Sequence, residues 1–475
     1  MDGTELRRRL ASLAYPVYFE LLAGVTAGII NMVWVARLGG ASVAAVAVAT
    51  NVENLLLGVV LVAGSGTTVL VARARGAGDP AGVRSAVRGG WTLWAVVTPV
   101  VAVGGYLCRE PVARLVLGGG DGRPLSLATG YFAIALPGIA VFFATNVVDG
   151  ILKGAGDTRT PMRLSLLANG LILVLDPALI IGLGLGVRGA AVSTVLGRTA
   201  ALARGLVALR RNVPLRETAS DAAGERSTAG SLWADARRTA ATGLPMSADF
   251  VVRMAGTLAL VGVVARIGVA DVAAYGIATK ATYVATMAFY AVRQAAAIHT
   301  AHLLGAGHDA RRAVGRQALV LAGALGLAAA LALLAAAPWI LRGFGAGGRV
   351  AAAGTLYLRC VGPYLVLLAC FIALGGVFEA AGGSPALARI TTCGVTLQLA
   401  LAYALSGAGL RGICLAMAVA TALQCAAVTR MYRRVAQREG REALVGGAGK
   451  PDGSGAGASV ASAHDRVHRN RGGRA

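Results

Sequence analysis

Among the ionisable residues inside or at the ends of long apolar runs, seven are the most informative: Glu20, Asp149, Asp176, Asp249, Arg253, Arg293 and Glu379. A charge placed in hydrocarbon is costly and persists where it pairs, faces water or does work. Asp176 is the sharpest case. It lies mid-span in LILVLDPALII (171–181), with no basic residue in the same run. Pro177 follows it, and proline leaves a carbonyl one turn earlier without its helical partner. A carboxylate beside freed backbone oxygens can hold Na⁺ or carry a proton. Asp249 and Arg253 are four residues apart, so they share a helix face and can neutralise each other. Asp149 and Lys153 repeat that spacing close to the end of their run, which is the pattern of a helix-end ion pair. Glu20 has no partner on its own helix. It reads as an acid facing a central cavity, where it would attract cations or relay protons. Arg293 needs a partner, either a cavity acid or a cluster of carbonyls, and Glu379 reads as interfacial.

The elements that must position these residues are hydrophobic spans. The chain has 475 residues, 56% of them hydrophobic and only 14% charged, with a net charge of +23. Its mean hydropathy is +0.68. A basic balance can mean nucleic acid, but here the basic residues punctuate long apolar runs, the pattern of a polytopic membrane protein. Twelve runs reach the roughly 20 residues needed to cross a bilayer. They fall near 11–37, 42–72, 89–108, 126–152, 161–183 and 188–210, then 239–266, 270–303, 317–341, 352–379, 386–406 and 411–432. The organisation expected is an N-terminal six-helix lobe (1–211), a polar linker (212–238), a C-terminal six-helix lobe (239–432) and a basic, disordered tail (433–475). Pro16, Pro137, Pro245 and Pro363 are candidate kinks within spans.

The halves are copies. VARLGGASVAAVAVAT (35–50) returns as VARIGVADVAAYGIAT (264–279), offset by 229 residues. At the same offset Pro16 maps onto Pro245 and Gly76 onto Gly305; at 226, Pro137 maps onto Pro363 and Gly156 onto Gly382. Glu20 and Asp249 are equivalents too, each four residues after its proline. Six spans per half is an even number, so the halves share one membrane orientation. They form a parallel repeat of two pseudo-symmetric bundles, an arrangement found in secondary transporters. Most of the loop Lys and Arg lie on the side of the N-terminus, including Arg73, Arg75, Arg84 and Arg88. That places both termini in the cytoplasm of a multi-pass cell-membrane protein.

The runs LKGAGDTRTPM (152–162) and LDPALIIGLGLGVRGAAVST (175–194), with the first-helix proline and the VARLG corner, resemble signature stretches of the multidrug and toxic compound extrusion (MATE) transporters. The resemblance covers nearly all of residues 10–432. The stretch ADFVVRMAGTLALVGVVARIG (248–268) looks like the DinF-like branch. Asp249 and Arg253 stand where that branch often keeps an acid and an arginine; the NorM-like branch carries a functional glutamate at the position of Arg253. The resemblance implies an all-α, twelve-helix antiporter that exports amphipathic, often cationic compounds in exchange for protons or sodium. It implies a coupling site in the N-terminal lobe at Asp176, with Thr194 as a further ligand. Two departures stand out: Asn31 replaces a usual aspartate, and Ile172 replaces a usual asparagine four residues before Asp176, Asn169 lying one further turn back. One carboxylate with few oxygen ligands favours a proton over Na⁺. Glu20, Asp249, Arg253 and Arg293 are then the candidates for the substrate cavity.

Other function classes fit less well. The cysteines form no CxxC pair, and His299 and His302 lack a third ligand nearby, so no metal centre is expected. GAGD (76–79) lacks the lysine and hydroxyl of a phosphate-binding loop, so the energy should come from an ion gradient and not ATP. No Asp-rich motif of a prenyltransferase occurs. A lipid-linked precursor flippase of the same superfamily is the nearest rival; the acids and the count of twelve spans weigh against it, as the duplication weighs against a passive scaffold. The expectation is a monomer in the lipid bilayer that handles small molecules and takes neither cofactor nor nucleic acid.

Overall fold

The computed structural model describes residues 3–116, 122–212 and 229–447. They form fourteen α-helices: α1 (Gly3–Ala36), α2 (Gly40–Gly76), α3 (Pro80–Leu107), α4 (Arg109–Val116), α5 (Arg123–Gly154), α6 (Arg159–Pro177), α7 (Val187–Asn212), α8 (Ala229–Ala265), α9 (Val269–Gly305), α10 (Arg311–Gly343), α11 (Gly348–Cys360), α12 (Gly362–Ala380), α13 (Ser384–Ala404) and α14 (Leu410–Gly447). The chain divides into two compact units, Met1–Val428 and Thr429–Ala475; of the second, the described part is the end of α14.

Eleven of the described helices are long and apolar enough to cross a membrane. The twelfth span is α9. It is 37 residues long but carries Asp271, Lys280, Arg293, His299 and His302. It can carry Arg293 and His299 because both are buried, with α1, α2, α10, α11 and α12 all packed against this helix. The result is two lobes of six spans each: α1, α2, α3, α5, α6 and α7 in the N-lobe, and α8, α9, α10, α12, α13 and α14 in the C-lobe.

Proline chemistry explains where the helices differ from the sequence expectation. Pro16, Pro137 and Pro245 sit inside unbroken helices. Pro363 does not. It starts α12, so the run 352–379 is two helices that meet at Val361. Pro177 ends the regular part of α6, and the chain continues as a π-helical turn, Ala178–Gly182. Asp176 therefore stands at the last turn of a helix and not in the middle of one. The linker and tail are also shorter than expected. Helix α8 begins at Ala229 and α14 runs to Gly447, while residues 213–228 and 448–475 of those two segments lie outside the described residues.

The repeat is visible where the lobes meet. A Cβ on Gly76 would lie 2.0 Å from the carbonyl oxygen of His302, and one on Gly305 would lie 2.0 Å from that of Arg73. Gly76 maps onto Gly305 and Arg73 onto His302 at the 229-residue offset. The two contacts are one contact seen twice across the pseudo-two-fold axis. Only a residue without a side chain lets two backbones approach this closely. Other hydrogen bonds link the lobes: Arg7 to Gln317, Ser85 and Arg88 to Asp235, His302 to Gly154, and Ser247 to the Gly58 carbonyl. Ala72, Ala301 and Ala380 form a small apolar plug among them. This is the closed end of the molecule.

Substituting Gly76→Ala or Gly305→Ala should overpack this crossing and cost about 1–3 kcal/mol. A Cβ at Gly28 meets nothing within 4 Å. Thermal unfolding in nanodiscs should therefore show a lowered midpoint for each of the first two variants and none for Gly28→Ala.

Candidate functional site

Three polar clusters lie within the lobes. In the N-lobe, Asp176 is fully buried. Asn31 Nδ2, from α1, donates to its Oδ2 at 2.8 Å. Ser193 Oγ, from α7, donates to its Oδ1 and lies 3.0 Å from the Ala190 carbonyl. No ion pair to Asp176 is recorded among the described residues. Two residues expected beside it are elsewhere. The Thr194 hydroxyl donates to the Ala190 carbonyl at 2.9 Å, one turn back on its own helix, and Asn169 Nδ2 donates to the Ser165 carbonyl at 2.9 Å. Ser193 takes the place expected of Thr194, because the helix turns the neighbouring position toward α6.

The second cluster lies nearer the closed end of the N-lobe. Lys153 Nζ, from α5, meets Glu20 Oε1, from α1, at 2.6 Å. Glu20 is thus neither unpartnered nor free on a cavity wall. The expected Asp149–Lys153 pair is also corrected: the lysine turns to Glu20, and Asp149 Oδ1 is buried without a hydrogen-bond partner. Two acids and one base leave this cluster one charge negative when all are ionised.

The third cluster binds four helices of the C-lobe. Asp249 (α8) is fully buried and pairs with Arg253 and, at 2.8 Å, with Arg293 Nη2 of α9. Arg293 also pairs with Glu379 of α12, and Thr391 Oγ1 of α13 donates to Asp249 Oδ1 at 2.5 Å. Arg293 thus has two acids as partners. Glu379 is 5% exposed, so it is an interior residue and not an interfacial one. Asp249 and Arg293 are buried between helices.

The second and third clusters are versions of one design. Glu20 and Asp249 are repeat equivalents, and so are Lys153 and Glu379 at the 226-residue offset. Where the N-lobe has an acid facing a base, the C-lobe has two acids. Arg293 bridges them, from the position that Gly64 holds in the N-lobe. The backbone is unchanged: a Cβ on Gly150 would lie 2.5 Å from the Gly64 carbonyl, and one on its equivalent Gly376 would lie 2.1 Å from the Arg293 carbonyl.

The MatE family model matches residues 16–178 and 245–404. The chain belongs to the MATE family. Among relatives, a probable multidrug resistance protein NorM of Thermotoga maritima is 32% identical over 202 residues, 41% of this chain and 42% of that protein. DNA damage-inducible protein F of Escherichia coli is 29% identical over 216 residues, 45% of this chain and 46% of that protein. Each match thus spans less than half of the relative's length. An outward-facing multidrug resistance MATE family transporter of the MOP superfamily superposes with a TM-score of 0.83 at 22% identity, covering 92% of this chain and 98% of that one.

In this MATE chain, one interior acid escaped the sequence reading. Glu53 of α2 accepts a hydrogen bond from the Tyr131 hydroxyl at 3.1 Å and lines a cavity with Asn54, Thr194 and Arg198. The signal was available, since Glu53 is an acid inside the second apolar run. Removing one partner of a buried ion pair costs about 3–5 kcal/mol, because the other charge is left uncompensated. Glu379→Gln should therefore lower the unfolding free energy of detergent-solubilised protein by about that amount. Arg253→Met should cost less, as Arg293 and Thr391 still hold Asp249; equal losses in thermal melts would contradict this division of roles.

Proposed function

We propose that the chain is an antiporter that exports amphipathic or cationic organic compounds by alternating access, driven by protons entering through Asp176. The observation that carries this reading is the Asp176 environment. The carboxylate is buried, lies beside a helix break, and receives hydrogen bonds from Asn31 and Ser193. Both neighbours offer it hydrogens, whereas a sodium ion needs several oxygen lone pairs around it. A protonated Asp176 keeps its bonds at little cost: Ser193 turns its hydrogen to the Ala190 carbonyl and accepts from the carboxyl group. The site can thus be filled and emptied without leaving a buried polar group unpaired.

The closed end carries Arg73, Arg75, Arg84 and Arg88, so it is assigned to the cytoplasmic side, with both termini there. In this state the lobes then part toward the outside. The names of the relatives, multidrug resistance proteins among them, support export of small molecules. A monomer suffices, because both lobes belong to one chain.

Proteoliposomes with an imposed pH gradient should move ethidium, and Asp176→Asn should abolish that movement while the protein still folds. Ser193→Ala should retain part of it. Ethidium exchange driven equally well by a sodium gradient at clamped pH would overturn the proton assignment.

A further inference from the structure

A second cavity, of about 580 Å³ and open to one side, lies at the closed end where the lobes meet. Its walls are α1 and α2 of the N-lobe, the turn after α5, and α9 of the C-lobe. Four of its residues are basic or imidazole side chains: Arg9, Arg75, His299 and His302. Its other lining residues are neutral, and most are small or apolar. We propose that this cavity binds a phosphate-bearing anion that clamps the two lobes together at the closed end.

The volume falls within the roughly 300–1,000 Å³ of ordinary ligand pockets. Guanidinium groups suit phosphate because their N–H fork matches its oxygens. Arg9 and Arg75 are free for this role, since neither is held by a carboxylate among the described residues. His299 supplies an independent sign of a missing partner. It is 3% exposed, and its Nε2 is buried with no hydrogen-bond partner. A buried imidazole nitrogen left unpaired is costly unless a ligand meets it. His302 is already fixed, its Nε2 donating to the Gly154 carbonyl across the lobes at 2.8 Å. Gly76, Ala155, Gly156 and Ala306 leave room beside these groups. The arginines come from the N-lobe and the histidines from the C-lobe. An anion that touches both sets binds the closed end better than the open one, and so shifts the population toward it.

A phosphate group can arrive on a lipid headgroup or on a soluble compound, and two arms of one experiment separate them. The full chain in detergent is titrated with inorganic pyrophosphate in a calorimeter. In parallel, the chain is reconstituted in nanodiscs of phosphatidylcholine with phosphatidylglycerol, and retained lipid is read by native mass spectrometry. Saturable binding at one site per chain is expected, weakened about tenfold or more in the Arg9→Gln/Arg75→Gln variant. Both arginines are exposed, so this variant should fold. His299→Ala should weaken binding as well. Loss confined to pyrophosphate assigns a soluble ligand, loss confined to phosphatidylglycerol assigns a headgroup, and loss of both assigns the shared chemistry. No binding in either arm, binding unchanged in the double variant, or an equal effect of chloride at matched ionic strength would overturn the proposal.

Discussion

A charge inside hydrocarbon has to be neutralised by the protein itself, and much of this molecule's interior follows from that requirement. Water and salt do not reach these groups well enough to screen them, so a buried cation must be met by acids of the protein itself. The C-lobe shows the consequence. Arg293 cannot stay buried without Asp249 and Glu379, and those residues come from three different helices. Satisfying one charge thereby fixes the mutual positions of α8, α9 and α12, with α13 joined through Thr391. Such a network adds little net stability compared with apolar packing, but it penalises every alternative register of those helices.

Duplication makes this constraint easier to follow. The two lobes began with the same positions and were rewritten separately. At the position of Lys153 the C-lobe carries Glu379, which alone would place two acids side by side. Arg293 repairs the balance from a position that is glycine in the N-lobe. The change needed no rearrangement of the backbone, because the close approach of Gly150 to Gly64 persists as that of Gly376 to Arg293. The closed end kept its symmetry instead. The reciprocal contacts of Gly76 and Gly305 use backbone atoms, which mutation of neighbouring side chains leaves in place.

What the sequence made legible was what is periodic or repeated. Span length, the six-plus-six division and the lobe-to-lobe equivalences all come from hydropathy and offsets, which need no third dimension. The Asp249–Arg253 pair was legible because a spacing of four is local to one helix. The Lys153–Glu20 and Arg293–Glu379 pairs were not, since each joins two helices and depends on how they rotate. The same applies to Ser193 and Thr194. They are adjacent in the chain but about 100° apart around a helix, and a resemblance in sequence could not say which of them faces Asp176. Applying the repeat more fully would have helped, because mapping Lys153 onto Glu379 already exposes an acid in need of a base.

Asp176 stands apart from these structural pairs. Glu20, Asp249 and Glu379 each meet a cation, while Asp176 meets only an amide and a hydroxyl. The C-lobe has no counterpart: Asn31 maps onto the buried Leu260, and α13 carries no acid. An acid needed only to hold helices together would be expected to have a permanent counter-ion, as Glu20, Asp249 and Glu379 do. A carboxylate served by hydrogen-bond donors alone can change its charge with small local rotations, whereas neutralising Glu379 would strand Arg293. Changing the charge of Asp176 therefore strands no buried cation. That property separates Asp176 from the paired acids that keep the bundle in register.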